Sequence, residues 1–312
     1  MKQAVIDLGT NTFHLMIEER EGTAPPRVLF RESRPAKLGK AGINRGLITE
    51  EAMERALTVL RYFGQQLDQF GIAPETVTTI GTSAIRVAGN QADFIERVRQ
   101  ATGLQIRVVS GDEEAELIYR GVRASGALGA ATSLVMDIGG GSVEFILGNQ
   151  ERIFWKQSFE MGGQRLLERF MPDYTHTISP SAIGRLHDFF REQLVPLHNA
   201  VHQYQPTVLV GSSGSFDTLV DMDYQHRTGQ WPPAEQASFK LPVAEFYRAY
   251  SELVTRNHDQ RMQLPGMIEL RVDMIVVAVC LIDYVLKAFE INTIRVSTYA
   301  LKEGVLAQLT EH

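Results

Sequence analysis

A single cysteine, Cys280, stands in 312 residues, so no internal disulfide can form. The residues around it, Met274 to Ile282, are apolar throughout, which makes it a buried and unreactive thiol. Longer apolar runs are missing. That stretch is too short to span a bilayer, and Asp7 interrupts the first hydrophobic segment before a signal-peptide pattern develops. A cytoplasmic location without membrane association is therefore expected. The eight histidines lack ligand spacing and no cysteine pair exists, which argues against zinc. His198 and His202 lie four apart on a helix but have no third ligand. Positive charge is also not in excess. The formal net charge of −6 counts against a nucleic-acid partner, although one local basic groove suffices for another polyanion. Low-complexity segments are absent.

What remains is an ordinary globular composition, 44% hydrophobic and 22% charged, in a chain long enough for two cores. An internal repeat organises it. Ala4–Ile17 aligns without a gap on Leu134–Leu147, at a constant offset of 130 residues. Each copy reads as a buried strand, an Asp near its end, a turn of Gly, Ser, Thr or Asn, and a returning apolar strand. Two matching hairpins imply two similar α/β domains facing each other across a cleft. The small-residue stretch Arg123–Gly129 places the boundary, giving domains 1–126 and 127–312. A mixed-charge loop is expected from Glu18 to Arg45, including Pro25-Pro26. A helix follows, N-capped by Thr49. Further helices are expected at Ala92–Thr102, from Glu113, at Gln164–Phe170, Ser181–Tyr204, Ala244–Asn257 and Leu270–Phe289, and from Ala300. Strands are expected at Thr76–Ile80, Arg107–Val109, Thr207–Val210 and Thr293–Ser297, with a polar loop from Asp221 to Ala237.

The chemistry lies in the turns and the residues beside them. Gly139-Gly140-Gly141-Ser142 lets backbone N–H groups converge on an anion, because glycine permits close approach. Gly9-Thr10-Asn11-Thr12 adds hydroxyl and amide donors for a second phosphate. Asp7 and Asp137 end apolar strands, where a carboxylate needs a cation or hydrogen-bond partners. Together with Glu144, on the face of its strand opposite Val143 and Phe145, they are candidate ligands of Mg²⁺, which is held by few carboxylates and keeps several waters. In the acidic run Asp112-Glu113-Glu114-Ala115-Glu116, Glu114 shares a helical face with Leu117, Ile118 and Gly121, whereas Glu113 and Glu116 join Arg120. An acid beside an apolar face has a raised pKa and is a candidate base toward water. Arg86 is the candidate phosphate-binding cation, with a surface arginine as the alternative. Arg31, Arg34, Lys37, Lys40 and Arg45 line either a polyanion groove or a solvated loop. Gly211-Ser212-Ser213 follows an apolar strand where a nucleotide or phosphate chain would approach the backbone.

Taken together, these segments resemble the exopolyphosphatase/guanosine pentaphosphatase (Ppx/GppA) family of the actin-like ATPase-domain superfamily. The matching stretches are Ala4–Ile17, Leu38–Leu57, Ile80–Asn90, Ser110–Val122, Val135–Gly148, Val210–Leu219, Leu270–Ile282 and Val296–Leu306. The resemblance implies a short, two-domain form with actin-like (ribonuclease H-like) α/β domains. It further implies Mg²⁺-dependent hydrolysis of terminal phosphoanhydride bonds in inorganic polyphosphate or guanosine pentaphosphate. Glu114 would then activate water, Arg86 would contact phosphate, and Asp137 and Glu144 would be cation-associated. Val143 stands where relatives carry threonine, which implies phosphate binding weaker by about 1 kcal/mol. An acceptor-dependent phosphotransferase of the same superfamily and a degenerate nucleotide-binding module are the alternative readings. A homodimer is the base-rate expectation.

Overall fold

The computed structural model describes residues 2–22 and 26–309, so Pro25 lies outside the described residues. Two compact units divide the chain. One contains the residues up to Glu114 together with those from Val305 onward, and the other is Ala115–Gly304. The crossings fall inside two helices, Gly111–Ala124 and Leu301–Gln308, rather than in the small-residue stretch at Arg123–Gly129. An uninterrupted helix carries no turn signal, which is why composition points elsewhere.

Each unit holds one sheet. The first contains β1 (Lys2–Leu8), β2 (Thr12–Glu19), β3 (Arg27–Pro35), β4 (Thr78–Gly81) and β5 (Ile106–Val108), in the order β3-β2-β1-β4-β5. The second contains β6 (Ser133–Ile138), β7 (Val143–Gly148), β8 (Ile153–Phe159), β9 (Val208–Ser212), β10 (Ser238–Leu241) and β11 (Ile294–Ser297), in the order β10-β11-β9-β6-β7-β8. Without its edge strand β10, the second order repeats the first strand for strand. In both, three antiparallel strands meet two parallel ones, through β1–β4–β5 and β6–β9–β11. The repeat read from the two hairpins therefore extends through both sheets. Its register is also shared: Asp7 lies across from His14, and Asp137 lies across from Glu144.

Four expectations need correction. The stretch read as a mixed-charge loop contains β3, an edge strand whose charged residues discourage further pairing. The expected Ser181–Tyr204 helix is two helices, Pro180–Gln193 and Val195–Tyr204, broken at Leu194 ahead of Pro196. The loop expected from Asp221 begins only at Gly229, because the helix Gly214–Thr228 exposes a polar face in its second half and then ends on a left-handed glycine. The helix expected from Leu270 starts at Met274.

Each unit has its own core. In the first, the helix Glu50–Gln69 is capped by Thr49, whose Oγ1 accepts from Ala52 N at 3.2 Å. It buries Met53, Ala56, Leu57, Leu60 and Phe63, and it packs beside the helix Gln91–Thr102. The second core is built around the helix Met274–Ala288, in which Ile275 through Leu286 are all buried, Cys280 among them. A helix apolar on every side has to be central. Arg261 is fully buried in this unit and donates to the carbonyls of Arg256 (2.7 Å), Tyr174 (2.8 Å) and Val272 (3.1 Å). It thereby ties three separate segments together.

Glycines let the two crossing helices approach. A Cβ at Gly304 would overlap the carbonyl of Leu117, and one at Gly121 would overlap the carbonyl of Ala300. Gly64, inside the helix Glu50–Gln69, has nothing within 4 Å of such a Cβ. Gly304→Ala is therefore expected to destabilise the protein by about 1–3 kcal/mol through overpacking. Gly64→Ala should stabilise it by about 0.5–1 kcal/mol through helix propensity. Urea unfolding midpoints of the two variants check both signs.

Candidate functional site

In the first unit, the parallel strands β1, β4 and β5 end along one edge, and each releases candidate residues there. Such an edge, at the carboxyl ends of parallel strands, is where α/β folds collect their ligands. After β1 comes the Gly9–Thr12 turn, too tight for a side chain at Gly9, where a Cβ would stand 2.8 Å from the Thr12 carbonyl oxygen. Thr10, Asn11 and Thr12 are buried. The Thr10 carbonyl accepts from Gly39 N at 2.9 Å, and the Asn11 carbonyl accepts from Ala36 N at 2.9 Å and Lys37 N at 2.8 Å. The Thr12 hydroxyl is buried and has no hydrogen-bond partner among the described residues. Asp7 sits one position before the end of β1, beside Ile80 of β4.

After β4, the Thr82 hydroxyl donates to the Leu8 carbonyl at 3.3 Å and leads into the short helix Ser83–Arg86. After β5, Ser110 Oγ accepts from Glu113 N at 3.1 Å and starts the helix that carries Glu114. The two candidates meet: Arg86 Nη1 donates to Glu114 Oε2 at 2.6 Å. Arg86 is thus mostly buried and is not a surface arginine. Glu114 is buried as the helical face requires, and its carboxylate faces a guanidinium. Glu116 pairs with Arg120 at 3.3 Å as the spacing predicts, whereas Glu113 pairs with Arg107 of β5 instead of joining Arg120.

In the second unit the matching edge is formed by β6, β9 and β11. Asp137 is buried near the end of β6, and Ser212 at the end of β9 donates to its Oδ2 at 2.6 Å. Glu144, its cross-strand neighbour, is fully buried and accepts from the Ser158 hydroxyl at 2.7 Å. In the Gly139–Ser142 turn, the carbonyls of Gly139, Gly140 and Gly141 accept from the amides of Gly163 (2.9 Å), Gln164 (2.8 Å) and Gly162 (3.0 Å). With the carbonyls turned into the helix Gly163–Phe170, the amides of Gly140 and Gly141 donate to no protein acceptor among the described residues. Val143 is fully buried in the core, on the face of β7 opposite Glu144. Ser213, at φ 72° and ψ 172°, occupies backbone space that favours glycine and opens the helix Gly214–Thr228.

Four residues of this edge were not singled out from the sequence: Asp217, Arg271, Lys302 and Glu303. A Cβ at Gly214 would overlap the Arg271 guanidinium, so that glycine is what lets Arg271 cross the start of the helix. Burial pulls the Arg271 pKa down, while Asp217 and Asp137 hold it up. Burial pushes Asp137 up to about 6, opposed by the Ser212 hydrogen bond, Lys302 and Arg271. Burial pushes Asp217 up to about 7, opposed by Lys302 and Arg271. The available signal was Arg271 and Asp273 standing directly before the most apolar run in the chain. His198 Nε2 meets the Tyr284 hydroxyl at 2.8 Å.

Among the described residues, no three Asp, Glu, His or Cys side chains converge to cage a metal ion. Two neighbouring carboxylates, Asp137 and Glu144, fit a cation that takes one or two protein ligands and fills its remaining positions with water and phosphate oxygens. Also among the described residues, no helix is long and apolar enough to cross a membrane.

A sequence-family model described as the Ppx/GppA phosphatase family matches residues 16–312. Among solved structures, an exopolyphosphatase from Cytophaga hutchinsonii ATCC 33406 is 45% identical, with a TM-score of 0.94. That match covers 100% of this chain and 98% of the other. The Aquifex aeolicus Ppx/GppA family member is 23% identical over 100% of this chain and 98% of its own, with a TM-score of 0.79. The second likeness concerns the fold alone.

The raised acids make stability fall as pH rises. An acid whose pKa is higher in the folded than in the unfolded chain costs nothing below its unfolded value. The cost then grows until pH passes the folded value. For Asp217 that window runs from about pH 4 to about pH 7, with a total on the order of 4 kcal/mol. His187 and His198, held low by burial, act in the opposite sense up to about pH 6.5. The discriminating quantity is therefore the difference between wild type and Asp217→Asn. Urea unfolding in EDTA should show Asp217→Asn gaining on wild type between pH 5 and pH 8.

Proposed function

The chain belongs to the Ppx/GppA phosphatase family and is a phosphoanhydride hydrolase, and from that premise we propose that it releases terminal phosphate from inorganic polyphosphate or guanosine pentaphosphate. The observation that carries this reading is the Arg86–Glu114 pair, set at the strand edge that also holds the Gly9–Thr12 turn. A phosphate binder and a base already joined to each other suit a site that assembles on its substrate. Phosphate oxygens take the Arg86 donors, and the freed Glu114 carboxylate orients and deprotonates a water.

Water oxygen then bonds to the terminal phosphorus as the bond to the bridging oxygen breaks. Glu114 holds the water proton, and the shortened chain leaves as an anion beside orthophosphate. Little covalent chemistry falls on the protein, so positioning and charge neutralisation supply most of the rate. Gly9, Thr10, Asn11 and Thr12 are the phosphate contacts proposed for the first unit. Gly139, Gly140, Gly141 and Ser142 serve the second, with Gly211, Ser212 and Ser213 beside the remaining phosphates. Asp137 and Glu144 would hold Mg²⁺, with Asp7 as the acid of the first unit; when bound, the cation neutralises charge on the phosphate oxygens. The 45% identity to an exopolyphosphatase supports the polyphosphate half of this reading.

Phosphate release from medium-chain polyphosphate and from guanosine pentaphosphate, with Mg²⁺ or EDTA, tests the proposal. Wild type should release phosphate only with Mg²⁺. Glu114→Gln should lower kcat by about 10²–10⁴, the range of general-base catalysis. Release that is insensitive to Glu114→Gln would remove the residue from the mechanism. Binding without any release would leave a binding module in place of an enzyme of this specificity.

A further inference from the structure

Between Ser33 and Thr49 the sequence holds four cations and no acid, within a chain of net charge −6. The structure separates the engaged cation from the others. Arg34 pairs with Glu32 at 2.7 Å, and its guanidinium carbon stands 3.4 Å from the centre of the Tyr62 ring. Lys37, Lys40 and Arg45 are exposed, and among the described residues none of them forms an ion pair. Arg45 Nε donates to the Ala41 carbonyl at 2.9 Å, which leaves its charge uncompensated. Arg55 adds charge from behind, donating to the carbonyls of Ala36 (3.3 Å) and Lys37 (2.9 Å).

The loop that carries these cations is fixed at both ends. At one end, Ala36, Lys37 and Gly39 bond the Thr10 and Asn11 carbonyls of the first turn. At the other, Gly89 N donates to the Gly46 carbonyl at 2.8 Å, and Asn90 exchanges hydrogen bonds with both backbone groups of Ile48 at 2.8 and 3.0 Å. Gly89 and Asn90 directly follow the segment that carries Arg86. Leu38 and Ile43 are buried in the core beneath. Lys37 and Ala41 have φ of 47° and 59°, a backbone that costs non-glycine residues energy. A solvated linker has no need of such strain or of so many anchors.

The loop thus runs from the phosphate turn to the Arg86 segment, within one unit, and offers only positive charge along its length. We propose that Lys37, Lys40 and Arg45 form an anion track for the phosphates of a linear polyphosphate that are not being cleaved. The track selects for chain length, because each further phosphate within reach gains a cation while a short substrate ends before it. This rests on the hydrolase reading above and deepens it by choosing linear polyphosphate over the guanosine nucleotide.

The test compares kcat/KM for medium-chain polyphosphate, tripolyphosphate and guanosine pentaphosphate in wild type and in Lys37→Asn/Lys40→Gln. Asparagine tolerates the left-handed backbone at position 37, so the fold is kept. The long-chain to tripolyphosphate ratio should fall about tenfold, the sum of two partly screened charge contacts. Lys40→Arg alone should preserve the ratio. An unchanged ratio, or an equal loss on all three substrates, would overturn the track. Calorimetric binding of the long chain to Glu114→Gln, with and without the two lysine changes, decides the track without turnover. If wild type cleaves nothing but the lysines still govern binding, the hydrolysis assignment fails and the track stands.

Discussion

An acid placed at the buried end of a sheet strand loses its hydration, and it is tolerated only where neighbours compensate. Much of the second unit's strand edge follows from that requirement at Asp137. Ser212 supplies a hydrogen bond from the adjacent parallel strand, while Arg271 and Lys302 supply charge. To bring Arg271 close, position 214 has to lack a side chain. Arg261 then fixes the Val272 carbonyl, next in the chain to Arg271, together with two other segments. Ser213 accepts an unfavourable backbone in the same turn. These features are hard to motivate one at a time, yet all accompany a carboxylate that sits where water is scarce.

The first unit solves the matching problem differently. Its strand edge is more open at Asp7, and its chief ion pair joins two residues that both follow strand ends, Arg86 and Glu114. Identical strand order therefore does not mean identical chemistry. One copy supplies the acids suited to a cation and a turn whose amides are left without acceptors. The other supplies the Arg86–Glu114 pair, which the proposed reaction would use as phosphate binder and base. Both hairpins keep a turn that opens on glycine, while the residues across from Asp7 and Asp137 differ, being His14 and Glu144.

The repeat, the hairpins, most helices and the burial of Glu114 were legible because each depends on local periodicity. The offset between the two hairpins carries straight through to the sheet register. Helical spacing separated Glu114 from Glu113 and Glu116 without reference to any partner. What failed was information held in contacts distant along the chain. β3 is a strand because β2 offers it an edge, not because its composition asks for one. The Arg86–Glu114 pair joins residues from different strand ends, and Arg271 reaches Asp137 and Asp217 from far along the chain. Polar surface helices such as the second half of Gly214–Thr228 have the composition of loops, so the expected loop at Asp221 was misplaced.

The last described helix, Leu301–Gln308, begins in one unit and finishes in the other. The first unit is consequently not a contiguous stretch of the sequence, and during synthesis it lacks a piece until the residues from Val305 onward have been made. A fragment cut at Glu114 omits residues from Val305 onward, so dissecting this protein into halves would separate parts of one compact unit. Rejoining the two ends by circular permutation, rather than truncation, is the route to an independent first unit.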